Sequence, residues 1–301
     1  MRAGDAAGAR PPCGSLPGVT ALDDRLAALD ADLGRLPGVL VAFSGGVDSG
    51  TLLAAAVRAL GADRVVAATA VSPSLPAAER AAAAVFAASL GVRHELPVTA
   101  ELDREGYRAN AGDRCAFCKT ELVDVLTPLA AGLGIADVVT GTNADDLRAG
   151  FRPGIRAAAE RGARAPLARA GLTKDDVRAA ARRWGLPLAD KPAAACLASR
   201  IAYGVPVSAD RLARVEAAEV ALRTALSDAG LAVRDLRVRD LGPVDGAETA
   251  RVEVDALVVP DVAARPELLA AVRGFDRVEL DPRGFRSGSM NELLPDPHRF
   301  R

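Results

Sequence analysis

Two groups of residues have the types and spacing that chemistry needs. They are Ser44-Gly45-Gly46-Val47-Asp48-Ser49, and the thiols Cys115, Cys118 and Cys196. Gly45 and Gly46 allow positive φ and a close backbone approach. Placed before a helix, such a turn faces bare N–H groups and a partial positive charge, which makes an anion site. Ser44 and Ser49 add hydroxyl donors. Asp48 is out of place beside a phosphate unless a divalent cation bridges the two. No Gly-Lys-Ser/Thr is present, so this is not a Walker A loop.

The cysteines leave several readings open. Cys115-Ala116-Phe117-Cys118, followed by Lys119, is a C-x-x-C motif. In a cytoplasmic setting a structural disulfide is not expected. A redox dithiol is one reading, although the motif does not follow a first strand in the thioredoxin manner. A structural zinc needs four ligands, and with no histidine nearby only Cys196 can join the pair. Three thiolates also fit an iron–sulfur cluster with one iron left open. The bland alternative is a pair of cysteines at a helix start with no special role. Cys196, within Ala195-Cys196-Leu197-Ala198-Ser199-Arg200, reads either as a core cysteine or as a low-pKa thiolate beside Lys191 and Arg200. Cys13 falls in an N-terminal tail.

Lysine occurs only at positions 119, 174 and 191 in a chain rich in arginine. Where lysine survives such a bias, a site can require an ammonium rather than a guanidinium. Chance is the competing explanation, above all for Lys174 on a helix surface. His94 and His298 lie outside these motifs, which argues against histidine-based acid–base chemistry.

Elements must position these groups. Val39 to Phe43 is five apolar residues in a row, the pattern of a strand buried on both faces. Ser49 to Leu60 reads as the helix that follows, and Ala21 to Leu36 as an amphipathic helix before the strand. Further strands are expected at Arg64–Val71, Val92–Pro97 and Ala136–Asn143. The intervening helices are Pro76–Leu90, capped by Gly91, and about Cys118–Gly132. Strands alternating with helices predict an α/β, doubly wound parallel sheet. Ligands then bind at the carboxyl ends of the strands. Those ends carry Ser44–Ser49, Thr69 and Ser72, and Gly141-Thr142-Asn143-Ala144-Asp145-Asp146. Thr173 and Asp176 form a capping-box variant that opens a helix running to Trp184 and reads as structural. Asp190 to Arg200 has the composition of a functional loop. After Pro206 the expected pattern is a helix at Ser208–Ala229, strands at Leu231–Asp240 and Thr249–Val254, a helix at Pro260–Phe275 and a strand at Arg277–Leu280. That order suggests a smaller C-terminal α+β domain. The expected division is a disordered tail at 1–20, a nucleotide domain at 21–205, an α+β domain at 206–294 and a frayed tail at 295–301.

The chain has 301 residues, half of them hydrophobic and a quarter charged, with a net charge of −1. Near-neutral charge argues against a broad nucleic-acid surface. No apolar run approaches membrane-span length. No signal-peptide core precedes the first helix, so a cytoplasmic protein is expected.

Ser-Gly-Gly-Val-Asp-Ser after a strand resembles the pyrophosphate (PP) loop of ATP pyrophosphatases, which split ATP into AMP and pyrophosphate. With Asp113-Arg114-Cys115-Ala116-Phe117-Cys118-Lys119, Gly141–Asp146, Phe151-Arg152-Pro153-Gly154, Pro166-Leu167 and Asp190-Lys191-Pro192 added, the chain resembles the LarE family. These are pyridinium-3,5-biscarboxylate mononucleotide sulfur transferases, which act in making the nickel-pincer nucleotide of lactate racemase. The resemblance continues through Cys196–Gly204, Arg237-Val238-Arg239 and Gly284–Asn291, and covers about residues 22 to 291.

That resemblance implies a PP-loop fold and a mechanism. ATP and Mg²⁺ activate a substrate carboxylate as an acyl-adenylate, with pyrophosphate held by Ser44–Ser49 and Lys119 neutralising developing charge. Thr69, Ser72, Gly141, Thr142 and Asn143 would complete the ATP site, and Asp48 and Asp145 would carry Mg²⁺. A sulfur nucleophile then displaces AMP to leave a thiocarboxylate. In one branch of the family a cysteine matching Cys196 gives up its own sulfur. In the other, three cysteines hold a [4Fe–4S] cluster whose open iron carries a transferable sulfide. The presence of Cys115, Cys118 and Cys196 favours the cluster branch. Arg237 and Arg239, two apart on a strand, point to one face. With Arg286, Ser199 and Arg200 they would bind the phosphate of a mononucleotide; surface arginines without a role are the alternative. Glu216 and Glu219 are weaker pocket candidates. The resemblance also implies a dimer-based homo-oligomer, up to a hexamer, with no stable nucleic-acid partner. A tRNA thiolase and an ATP-sensing module without turnover are the rival functions. Salt-dependent tRNA binding would favour the first, and pyrophosphate release on adding the mononucleotide would exclude the second.

Overall fold

The computed structural model describes residues 17–148, 153–192, 195–286 and 288–293. Cys13, Phe151, Arg152, Ser287 and the expected C-terminal tail at 295–301 lie outside them, as does most of the expected N-terminal tail. Helix α1 (Pro17–Gly34) takes in the last four residues of that expected tail.

The larger sheet is built from β1 (Val39–Ala42), β2 (Val65–Ala68), β3 (Arg93–Glu95) and β4 (Asp137–Thr140). Its order is β3-β2-β1-β4 and every pairing is parallel. The expected α/β class and parallel sheet are therefore present. Val39, Leu40 and Val41 are buried because helices cover both faces of the sheet. One layer joins β1 to α1 and α2 (Val47–Leu60), with Leu29, Leu33, Leu52 and Leu53 at its centre. The other packs Leu40, Val66 and Val138 against Leu126 and Ala130 of α5 (Arg114–Gly132). Helix α3 (Ala77–Ser89) lies between β2 and β3, and the short α4 (Glu105–Arg108) precedes α5.

β1 is flanked by β2 on one side and β4 on the other, so strand order reverses beside it. A crevice opens at the carboxyl ends of strands at such a point. The elements following β4 are α6 (Ala144–Arg148), α7 (Pro153–Glu160), α8 (Pro166–Arg169) and α9 (Lys174–Arg183). The capping box at Thr173 and Asp176 is present.

A separate mixed sheet follows α10 (Ala209–Asp228). Its strands are β5 (Leu236–Val244), β6 (Ala247–Val254) and β7 (Arg277–Leu280), in the order β5-β6-β7. Leu222 and Leu226 of α10 pack on Leu236, Val238 and Val252. A third core cluster joins Tyr107, Leu197, Ile201, Leu212 and Val215. It ties the loop after Cys196 both to the α4–α5 region and to α10. Among the described residues, no helix is long and apolar enough to cross a membrane.

Several boundaries differ from expectation. The strand expected at 64–71 stops at Ala68, and Val71 rejoins only as a single bridge to Val98. β5 begins at Leu236 rather than Leu231, then runs past a bulge at Asp240/Pro243 to Val244. Pro243 is tolerated because β5 is an edge strand. Asp245 and Gly246, both at positive φ (51° and 81°), form the hairpin turn. The helix expected over 260–275 is split into α11 (Val259–Ala263) and a 3₁₀ stretch at Pro266–Ala271. Pro266 lacks an N–H and pushes Arg265 out of the helical region.

Candidate functional site

The phosphate loop closes the space between β1 and α2. Gly45 takes φ 74° and Gly46 is the N-cap of α2. The two serines organise the loop rather than standing free: Ser44 N–H donates to Ser49 Oγ at 3.2 Å, and the two hydroxyls are 3.0 Å apart. The first-turn N–H groups of α2 have no intrahelical partners. Gly141 is needed because β4 ends against this turn, where a Cβ would lie 2.6 Å from Ser49 N.

Asp48 is held from two sides. Asn143 Nδ2 donates to its Oδ1 at 3.1 Å, and Lys174 Nζ donates to its Oδ2. Asn143 also caps α6, its Oδ1 accepting from Asp145 N–H at 2.9 Å and Asp146 N–H at 3.1 Å. Asp145 Oδ2 accepts the Lys174 N–H at 2.8 Å. Asp48, Asn143, Asp145 and Lys174 thus form one connected group beside the anion cradle. Helix α9, read from sequence as structural, delivers a lysine to the loop's carboxylate. Lys191 also reaches the loop, donating to the Gly45 carbonyl at 3.0 Å. Lys119 lies one turn beyond Cys115 in α5, where its stem and the Cys115 carbonyl flank Gly154 of α7. The scarcity of lysine is the sequence signal for all three, and chance does not account for Lys174, which bonds Asp48.

Thr69 and Ser72 turn inward. Thr69 Oγ1 donates to Phe43 O at 2.7 Å and lies 2.9 Å from His94 Nε2. Its one proton is committed to Phe43, so His94 Nε2 is the donor of that second bond. His94, which no motif flagged, therefore links β3 to β2. Burial holds its pKa below the usual 6.5, against an opposing pull from Glu95. Ser72 Oγ donates to buried Glu101 at 2.5 Å. The Thr142 hydroxyl is 3.3 Å from that of Thr140.

The thiols stand on two segments. Cys115 and Cys118 occupy the first turns of α5, and Cys196 sits immediately before the 3₁₀ turn Leu197–Arg200. Cys115 and Cys196 are exposed, and none of the three is in a disulfide. Burial pushes the Cys118 thiol up to about 12; Lys119 opposes this, and Cys196 and Cys115 add to it. Cys196 and Cys115 thus both act on the Cys118 thiol. Among the described residues, no three His, Cys, Asp or Glu side chains gather closely enough to hold a single metal ion. The zinc reading thus lacks a ready ligand set there. The donor types present are three free thiols, two of them exposed.

The loop bearing Cys196 is heavily tied down. Leu197 N–H donates to Ser74 O at 2.8 Å, and Ser74 Oγ is 2.5 Å from the hydroxyl of buried Tyr107. Arg114 of α5 reaches Ala198 O at 2.9 Å and also bonds Asn110. Arg200 makes two bonds to Glu219, at 2.9 and 3.1 Å, and reaches the Ala195, Cys196 and Ser199 oxygens.

Arg237 and Arg239 project from the face of β5 opposite Leu236 and Val238, toward this loop. Arg239 binds Glu253 at 2.7 and 3.0 Å, Ser199 O at 3.1 Å and Ser289 Oγ at 3.2 Å. Arg237 stacks on Phe285, 5.1 Å to the ring centroid. Burial lowers its pKa to about 10, with Arg200 and Arg239 adding to the effect. The structure thus brings Arg200, Arg237 and Arg239 together as a buried positive group. Arg286 faces Glu292 and the Gly284 carbonyl instead. Glu216 reaches across to α3, accepting from Ala77 N–H at 2.6 Å.

No family model matches the chain. It is 34% identical over 273 residues to the pyridinium-3,5-bisthiocarboxylic acid mononucleotide synthase of Lactiplantibacillus plantarum, covering 91% of this chain and 96% of that protein. It is 42% identical over 275 residues to an uncharacterized protein of Synechocystis sp., covering 91% of this chain and 99% of that one.

Proposed function

This chain belongs to the pyridinium-3,5-bisthiocarboxylic acid mononucleotide synthase (LarE) family, and on that premise we propose that it is an ATP-dependent sulfur transferase. Its substrate is pyridinium-3,5-biscarboxylate mononucleotide. One carboxylate is adenylated, pyrophosphate leaves, and sulfur displaces AMP to give the thiocarboxylate.

The observation that carries this reading is the loop from Asp190 to Arg200. At one end Lys191 touches the phosphate loop, and at the other Cys196 precedes Leu197, whose core cluster Cys118 packs against. A carboxylate activated at the first place is close in the chain to a sulfur nucleophile at the second. The α2 N-terminus, with the Ser44–Ser49 turn, takes the departing pyrophosphate. Asp48, oriented by Asn143 and Lys174, is the Mg²⁺ carboxylate, with Asp145 beside it. Lys119 offsets negative charge near the thiols. Arg237, Arg239 and Arg200 attract the mononucleotide phosphate, and Arg286 approaches it by leaving Glu292. Cys115, Cys118 and Cys196 would hold a [4Fe–4S] cluster, which when bound supplies the transferable sulfur.

Iron and acid-labile sulfide after anaerobic reconstitution test the cluster, and pyrophosphate release on adding the mononucleotide tests adenylation. Cys115→Ser should lose both iron and thiocarboxylate product while still releasing pyrophosphate. The exposure of Cys196 also suits direct attack by its own thiol. An iron-free protein that loses one sulfur atom per turnover, with Cys115→Ser fully active, would establish that route instead.

A further inference from the structure

Lys191 reaches the phosphate loop at Gly45. Its ammonium donates to the Gly45 carbonyl at 3.0 Å and to Glu79 Oε2 at 2.6 Å. Glu79 stands in the first turn of α3, which packs directly on Gly45. A Cβ at Gly45 would lie 3.5 Å from Ala83 Cβ and 3.7 Å from both the carbonyl and the carboxylate of Glu79. The backbone of the lysine is fixed as well. Arg178 of α9 donates to Ala189 O at 2.6 Å and to Lys191 O at 3.1 Å. Side chain and main chain of Lys191 are therefore held independently, by a carboxylate and by a guanidinium. Less than a quarter of each partner's side chain is exposed, 23% for Lys191 and 24% for Glu79.

The consequence lies in the peptide unit that Lys191 grips. In a trans peptide the C=O and the following N–H point in opposite directions, and the described chain has no cis peptide. Drawing the Gly45 carbonyl toward Lys191 therefore aims the Gly46 N–H away from it, at the start of α2. That N–H donates to no described residue. The peptide joins two glycines, with Gly45 at φ 74°, so rotation of the unit meets little steric resistance. Rotated, it would present a carbonyl oxygen to an incoming anion instead of a donor. We infer that Lys191, held by Glu79, locks the Gly45–Gly46 peptide with its N–H facing the pyrophosphate, and so acts as a positioning residue for adenylation. The lysine works through the backbone, and its own charge is already matched by Glu79.

This inference rests on the loop being a pyrophosphate site, and the experiment separates the two. Pyrophosphate and AMP are titrated calorimetrically into the full chain, as wild type, Lys191→Met and Glu79→Gln. Lys191→Met should weaken pyrophosphate binding by roughly tenfold or more, as expected for loss of a charge-assisted hydrogen bond. AMP binding should stay within about twofold. Glu79→Gln, which keeps the shape and the lysine, should weaken pyrophosphate binding less. The Gly46 amide nitrogen resonance should shift on adding pyrophosphate to wild type and not to Lys191→Met. Unchanged pyrophosphate affinity in Lys191→Met, or a parallel loss of AMP affinity in both variants, overturns the inference. A wild-type chain that binds no pyrophosphate overturns the reading of the loop itself.

Discussion

Gly141 shows how little room the candidate site has at the scale of one residue. An added methyl would stand 2.6 Å from Ser49 N and 2.8 Å from Ser49 Cα. Both are backbone atoms in the first turn of α2, so no side chain can swing aside. Gly141→Ala must push β4 and α2 apart, and overpacking of this kind costs about 1–3 kcal/mol. Urea denaturation should show that loss. ATP affinity should fall further than stability alone explains, because the atoms displaced are those of the phosphate loop. A glycine-to-alanine change at Gly162, where a Cβ meets nothing within 4 Å, is the control for backbone strain, since φ is positive there (82°) and not at Gly141.

At the scale of elements, helix starts and strand edges set the site's geometry. The N-terminus of α9 is fixed by the Thr173 capping box, and its first residue places one donor on Asp48 and another on Asp145. Thr173→Ala should cost about 1 kcal/mol through loss of the cap. Because that cap aims Lys174, the Mg²⁺ concentration needed for ATP binding should also change, which a calorimetric titration at several Mg²⁺ levels reads directly. On the opposite side, His94 fastens β3 to β2. Its folded pKa lies below 6.5, so above that pH it is neutral in both states and adds no pH dependence. As pH falls below 6.5 the unfolded chain takes a proton that the folded chain resists, and stability declines. His94→Gln, which can still donate to Thr69, should remove that part of the decline in unfolding curves measured between about pH 7 and 5. These elements also mark what the sequence could and could not reveal. The β1–turn–α2 unit was legible because apolar run, glycines and polar loop are contiguous. The capping box was legible for the same reason. Lys174 on Asp48 and Lys191 on Gly45 span more than a hundred residues of chain, and only the scarcity of lysine hinted at them. The split after Ala263 is written in Pro266, although the apolar pattern around it is continuous with a single helix.

At the scale of the whole molecule, the cysteine loop packs against both the α4–α5 region and α10, and Arg200 fastens it to α10. It is 4% exposed, binds both oxygens of Glu219, and reaches three oxygens of its own loop. Glu219 also accepts the Val238 N–H at 3.0 Å, so one carboxylate joins α10, β5 and the Cys196 loop. The Ile201–Asp240 bridge and the Arg239 bond to Ser199 O run parallel to it. Removing one partner of a buried ion pair leaves the other charge uncompensated, at about 3–5 kcal/mol. Glu219 keeps some exposure and Arg200 keeps its carbonyl acceptors, so Glu219→Ala should fall near the low end of that range, about 3 kcal/mol. Glu219→Gln, which preserves an acceptor for Val238, should cost less. The functional effect should be selective. The phosphate loop is held by Lys174, Lys191 and Gly141, none of which touches Glu219, so ATP binding should survive in folded Glu219→Ala protein. The position of Cys196 and the Arg237–Arg239 group both depend on the joint, so thiocarboxylate formation should drop far more than ATP affinity. Equal losses of the two in protein shown to be folded would mean that Glu219 does not act through the Cys196 loop.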